Sequence, residues 1–220
     1  VIRTMSQVEA AIKNGAEHVT FMNHELVKEL GRMPKIKYLI IYNLQLSALP
    51  ALPPNLVYLD CHGNKLGKLP ALPSTLKYLL CYDNVLKTLP PLPSTLIELN
   101  CMHNELTKLP ALPSTLKALV FSGNQVTTLP VLPPNLTELT CGDNRLKILP
   151  TLPKTLTLLA CDGNELTRLP KLPDGLEYLD YFDNPLTELP EFPENLERIN
   201  EMEDEADDYG SDDDSDSDDE

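Results

Sequence analysis

Residues 69–84 read Leu69-Pro-Ala-Leu-Pro-Ser-Thr-Leu-Lys-Tyr-Leu-Leu-Cys-Tyr-Asp-Asn84, or LPALPSTLKYLLCYDN. The stretch raises a choice. Cys81, two residues ahead of Asp83, is either a nucleophile with an assisting carboxylate or one rung of a repeat. Working outward, Leu-Pro pairs recur at 49, 69, 89, 109, 129, 149, 169 and 189, an unbroken period of 20 residues. Each unit follows L-P-x-L-P-x-x-L-x-x-L-x-C-x-x-N-x-L-x-x with few exceptions. Such a period marks a solenoid in which one supersecondary unit stacks on the next.

Each position has a physical reading. Around Tyr78-Leu79-Leu80-Cys81 the chain is expected to be extended, with Leu79 and Cys81 on one face and Tyr78 and Leu80 on the other. Stacked units then make a parallel sheet with strands ~4.8 Å apart. Nine strands, from Lys37–Ile41 to Glu197–Asn200, would span roughly 40 Å on that spacing. The return leg carries prolines such as Pro70 and Pro73, which set φ near −65° and remove amide donors. That leg cannot be α-helical and is expected to be polyproline-II-like. Leu69, Leu72 and Leu76 then point inward, and each unit buries its apolar face only against its neighbours.

The motif L-x-x-L-x-L-x-x-N-x-L resembles the leucine-rich-repeat solenoid. The Leu-Pro pairs are similar to the bacterial LPX type, found in the Yersinia outer protein M and invasion plasmid antigen H families, over residues 36–200. The resemblance implies an α/β-class, β-rich solenoid with its parallel sheet on the concave face and an extended convex side. Asn64, Asn84, Asn104, Asn124, Asn144, Asn164 and Asn184 occupy one position of the repeat. Their amides can both donate to and accept from backbone groups at the turn that leaves each strand, so they are read as a structural ladder. The residue before each is Gly, Asp or His, as a turn with positive φ requires.

The ends depart from the period. Ser6-Gln-Val-Glu9 reads as a capping box opening a helix that Gly15 stops. His18–Phe21 fits a strand, and Asn23 is placed to cap a second short helix ending near Gly31. Residues 1–36 are read as a short helical cap with a degenerate unit, and 37–200 as the solenoid. Residues 201–220 hold 13 acidic residues and no Lys or Arg, which leaves 20 acidic against 18 basic in residues 1–200, a net of −2. Blocks of like charge repel, so the tail is expected to be disordered. Ser211, Ser215 and Ser217 each precede an acidic residue by three positions and are candidate phosphorylation sites. A nearly neutral body has no basic surplus for phosphates, so nucleic acid is not an expected partner. No apolar run is long enough to span a membrane, and no secretory-signal pattern is visible. The chain starts at Val1, so whether a leader preceded it stays open.

The repeat also answers the cysteine question. Cys61, Cys81, Cys101, Cys141 and Cys161 share a position with Ile41, Phe121 and Tyr181, so it is a packing site where Cys acts as a small hydrophobe. Five thiols make no paired framework, which points to a reducing compartment. The ligases of the resembling family carry a Cys-x-Asp motif in a separate domain. Cys81-Tyr82-Asp83 and Cys141-Gly142-Asp143 match it by letters only, and no catalytic residue is assigned. Cys61-His62 and Cys101 with His103 lack the four converging ligands of zinc, so neither a metal nor another cofactor is expected.

What the repeat does not require is the set of outward strand residues. Tyr38, Tyr58 and Tyr78 fall in one column and Tyr42, His62, Tyr82 and Met102 in another, with Leu80 between. Tyr178 and Phe182 form a second, smaller cluster. Tyrosine offers large contact area with a polar end. The competing reading is that the rings stack for sheet stability alone. The resemblance implies a non-enzymatic scaffold that binds a protein partner through this face, as repeat-only effectors do inside a host cell, and the expected location is the cytoplasm or nucleus of a eukaryotic cell. Two alternatives stay open. Repeats followed by an acidic run resemble the acidic leucine-rich nuclear phosphoproteins, chaperones of basic, histone-like partners. Large DNA viruses also carry repeat proteins with such tails. Partner identity and oligomeric state are not specified by the sequence.

Overall fold

The computed structural model describes residues 1–194, 196, 198 and 199, the last two by their backbone alone. The acidic tail and its three serines lie outside the described residues. Ten strands form a single parallel sheet in chain order. β1 is His18–Thr20, β2 Tyr38–Ile40, β3 Tyr58–Asp60, β4 Tyr78–Leu80 and β5 Glu98–Asn100. β6 is Ala118–Val120, β7 Glu138–Thr140, β8 Leu158–Ala160, β9 Tyr178–Asp180 and β10 Arg198–Ile199. Every pairing shifts by one repeat, as in Leu59↔Leu79 and Leu79↔Leu99, so each column of the sequence alignment is a physical row across the sheet. β1 to β9 are three residues long where five were expected at Lys37–Ile41, and β1 adds one strand to the expected nine.

The core is a stack of identical rungs. Leu59, Leu79, Leu99, Leu119, Leu139, Leu159 and Leu179 are fully buried, and so are the five cysteines, Ile41 and Phe121. Tyr181, at the same position in the last complete unit, is only half-buried and lies against Phe192. Leu56 to Leu176 form a third buried row and Leu66 to Leu166, with Val126, a fourth. Each fully buried leucine contributes about 1.5–3 kcal/mol from burial. The sum is available only when both neighbouring units are in place.

From β2 onward, and among the described residues, the convex leg contains no helix, as its prolines require. It closes on a tight turn in which the Leu76 amide donates to the Pro73 carbonyl at 3.1 Å, repeated at Leu56, Leu96, Leu116, Leu136, Leu156, Leu176 and Leu196. Its leucines pack inward, Leu69 buried and Leu72 half-buried against the core.

At the N-terminus, α1 (Met5–Lys13) begins at Thr4, not Ser6. The capping box is Thr4-Met-Ser-Gln7, two residues upstream of the expected Ser6–Glu9. Gln7 Oε1 accepts from the Arg3 and Thr4 amides at 2.7 and 3.2 Å. The physical reason is burial. Starting at Met5 puts Val8 on the face turned to the core, where it is fully buried, and frees Glu9 to pair with Arg32 at 2.8 Å. Gly15 follows the helix with φ 59°, a left-handed conformation that suits glycine. A 3-10 helix, His24–Arg32, connects β1 to β2, buries Leu26, Val27 and Leu30 and contacts α1, with Asn23 Oδ1 accepting from the Glu25 amide at 3.0 Å.

Candidate functional site

Asparagines connect the units and position the strands. Asn84 Nδ2 donates to the carbonyls of Cys61, Cys81 and Tyr82 at 3.1–3.2 Å, while its Oδ1 accepts from the Leu66 amide at 3.0 Å. Asn64, Asn104, Asn124, Asn144, Asn164 and Asn184 repeat the arrangement, each reaching back to the preceding unit. The residue before each ladder asparagine has positive φ, from Gly63 at 64° to Asp183 at 52°. This turn swings the asparagine side chain under the strand, on the side of the buried middle leucine, while the first and third strand residues face outward.

A second ladder, absent from the sequence reading, runs along the convex turns. Thr75, Thr95, Thr115 and Thr155 donate from Oγ1 to Leu56, Leu76, Leu96 and Leu136 carbonyls at 2.7–2.8 Å. Asn55 and Asn135 replace threonine and donate to Pro34 and Ser114 carbonyls at 3.3 and 3.1 Å. The signal was visible, because Thr or Asn recurs at that position of the repeat. Among the described residues no buried side-chain polar atom lacks a partner.

On this frame the outward residues form two aromatic rows. The first is His18, Tyr38, Tyr58 and Tyr78, with ring centroids 4.1, 6.2 and 6.2 Å apart. The second is Tyr42, His62 and Tyr82, stacked at 4.8 and 4.3 Å with interplanar angles of 14° and 8°. The rows flank Ile40, Asp60 and Leu80. His18 was read as part of the cap, yet its spacing of 20 from Tyr38 carries the signal that places it in the row. Leu80 and Met102 are half-buried on the same face, while Tyr38 and Tyr42 are each 37% exposed. Tyr178 and Phe182 stand five strands away, and Phe182 stacks on Tyr181 at 4.9 Å.

Between the rows, Asp60 Oδ1 lies 2.6 Å from His62 Nδ1 and also accepts from the His62 amide at 3.3 Å. Asp60 is buried, and its carboxylate orients the imidazole so that it stacks between Tyr42 and Tyr82. Burial, and after it the Asp60 carboxylate, pushes the Tyr58 and Tyr82 phenols above their ordinary value. Both hydroxyls therefore stay protonated and able to donate at neutral pH.

The Cys-x-Asp stretches have no such organisation. Cys81 is fully buried with its thiol pushed well up by burial, whereas Asp83 is an exposed turn residue with φ 52°. Burial likewise pushes the Cys101 thiol up to about 12. A nucleophilic cysteine needs the opposite shift. Among the described residues no group of three or more His, Cys, Asp or Glu is placed to hold a metal ion, and no helix is long and apolar enough to cross a membrane.

Against known proteins, the chain is similar to the leucine-rich-repeat domain of a Shigella effector, with 32% identity and a TM-score of 0.65 over 83% of this chain and 76% of that one. The chain belongs to the LPX-type leucine-rich-repeat proteins. It is also similar to YopM from Yersinia enterocolitica WA-314, with 40% identity and a TM-score of 0.73 over 74% of this chain and 36% of YopM. The functional domain of InlJ from Listeria monocytogenes, described as including a cysteine ladder, aligns at 32% identity with a TM-score of 0.66. That alignment covers 73% of this chain and 37% of InlJ, so the chain spans about a third of the length of YopM and of InlJ. No protein-family profile and no curated protein matches the chain.

Proposed function

We propose that this LPX repeat protein is a non-enzymatic scaffold that holds a protein partner on the concave face of its sheet, at the N-terminal half. The observation that carries the reading is the pair of aromatic rows, His18 to Tyr78 and Tyr42 to Tyr82. The core does not need them, since the same columns hold Glu98, Ala118, Met102 and Ser122 further along with the fold unchanged. Seven rings packed in two rows restrict one another, so less side-chain entropy remains to be lost on binding. The phenol hydroxyls and the Asp60–His62 pair supply directional contacts inside an otherwise apolar patch. The effector neighbours support the same class of activity. The buried thiols fit a reducing compartment, which we propose as the site of action.

The test is a triple substitution, Tyr58→Ala, Tyr78→Ala and Tyr82→Ala. The three rings are half-buried on the sheet surface, so the circular-dichroism spectrum and a cooperative unfolding transition are expected to persist. Partner capture from eukaryotic lysate, identified by mass spectrometry, is expected to fall at least tenfold, as loss of interface aromatic anchors does. Retention of the same partner at wild-type yield would remove the aromatic rows from the interface.

A further inference from the structure

The aromatic row does not end in a neutral surface. Continuing across the sheet from Tyr78, its column runs to Glu98 on β5, Ala118 on β6 and Glu138 on β7. Ala118 leaves a notch between two carboxylates whose backbones stand about 10 Å apart, two strand spacings. Neither Glu98 nor Glu138 joins an ion pair among the described residues, although lysines elsewhere pair with Glu17, Glu105 and Glu165. Lys77 and Lys117 precede Tyr78 and Ala118 on the rim and form no ion pair with either acid among the described residues. The outward positions of β2 to β9 and the residues two places after them hold Asp60, Glu98, Glu138, Asp162 and Asp180, and not one Lys or Arg. Burial, and after it the charge of Glu138, holds the Glu98 carboxyl above the usual carboxylate range. The two acids thus repel each other over Ala118, and a cation placed between them relieves both the repulsion and the desolvation.

Resting on the concave-face reading above, we propose that the occupant is an extended segment of a protein partner bearing an arginine or lysine. Its basic side chain seats over Ala118 between Glu98 and Glu138, and its neighbouring residues lie along the Tyr38–Tyr58–Tyr78 row. An extended peptide advances about 3.3 Å per residue, so three residues cover the two strand spacings from Tyr78 on β4 to Ala118 on β6. Side chains of an extended segment alternate between faces, so a second basic residue four positions away, about 13 Å on, turns to the same side and falls between Tyr78 and Tyr58, where cation–π attraction favours it. A guanidinium fits this notch better than an ammonium, because its fork can donate to both carboxylates at once. An acidic or a purely apolar segment would leave the two glutamates desolvated and unpaired.

The test selects random twelve-residue peptides displayed on phage against the immobilised full chain and measures the winners by fluorescence anisotropy. Enriched peptides are expected to carry Arg or Lys beside apolar or aromatic residues. Their affinity is expected to drop about tenfold or more for Glu98→Gln with Glu138→Gln, the scale of losing charge-assisted contacts. The glutamine pair keeps side-chain size, and its fold is checked by its unfolding midpoint. It also keeps residues 201–220, so basic peptides drawn only to the acidic tail would bind both proteins equally and overturn the proposal. Enrichment of acidic or uncharged peptides, or of none, overturns it as well. Peptides lost on Tyr58→Ala with Tyr78→Ala but unaffected by the glutamine pair would leave the concave interface standing and remove the cationic specificity. Insensitivity to both pairs of substitutions would remove both.

Discussion

Cysteine chemistry at the level of single residues follows from where the repeat puts the thiol. Cys61, Cys81, Cys101, Cys141 and Cys161 are buried in a stack whose other members are Ile41 and Phe121, and burial raises each thiol. For Cys101 the rise is from 9.0 to about 12. A group raised in the folded state holds its proton there after the unfolded chain has lost its own. Stability is therefore whole below about pH 9 and declines as pH rises toward 12, by about 1.4 kcal/mol per pH unit for each buried thiol. Urea midpoints measured from pH 7 to pH 11 are expected to be level and then to fall steeply above pH 9. A Cys101→Ala variant is expected to be less stable at pH 7, for lost packing, and to show a shallower alkaline decline. A midpoint that rises or stays level above pH 9 would contradict the burial of these thiols.

Between elements, the decisive interactions are the two ladders. Three-residue strands carry few sheet hydrogen bonds, and the asparagines supplement them with side-chain bonds into the backbone of the preceding unit. Asn104 Nδ2 donates to the carbonyls of Cys81, Cys101 and Met102, and its Oδ1 accepts from the Leu86 amide at 2.9 Å. Asn104→Ala strands these buried groups and is expected to cost about 3 kcal/mol, read as a lower urea midpoint. The threonines act on the convex side, where Thr115 donates to Leu96 and Ser94 carbonyls at 2.7 and 2.8 Å. Their bonds lie nearer solvent, so water can replace them and each contributes less than an asparagine does. The ladder asparagines were legible in the sequence because Asn is costly to bury without partners, and its exact recurrence signals that partners exist. The threonine ladder is less legible, because Ser-Thr and Pro-Asn beside proline read equally well as ordinary turn residues. The position of the capping box is ambiguous in the sequence for a related reason. Thr4…Gln7 and Ser6…Glu9 satisfy the same local pattern, and only packing of Val8 against the core chooses between them.

At the scale of the whole molecule the protein is quasi-one-dimensional, each unit meeting only its neighbours. Removing residues 121–140 in frame takes out one complete period and joins Val120 to Cys141, which preserves the phase of every row. The shortened chain is expected to fold, with an unchanged far-ultraviolet spectrum per residue and a lower thermal midpoint because one interface is lost. Removing ten residues instead, 121–130, breaks the phase, and a cooperative transition is expected to disappear. Equal cooperativity in the two deletions would show that the units do not depend on register. The in-frame deletion also brings Ala118 next to Leu158 and removes Glu138, so it provides a folded protein lacking the proposed cation notch.

The sequence by itself determined the solenoid, its period, the parallel register, the buried rows and the inert place of Cys81. These are consequences of translation by 20 residues, in which every local choice is repeated and the copies agree. Only the tertiary structure decided how the residues of the sheet face meet one another. Pairing His18 with Tyr38 joined a cap residue to the tyrosine row, and the Asp60–His62 contact locked the second row. The column that carries both the tyrosines and the Glu98–Ala118–Glu138 notch is written in the sequence at intervals of 20 residues, but its charge relations exist only once the strands stand side by side. The reason is physical. Core positions are specified by what a single unit must bury, whereas a surface acquires its chemistry from residues that share no unit.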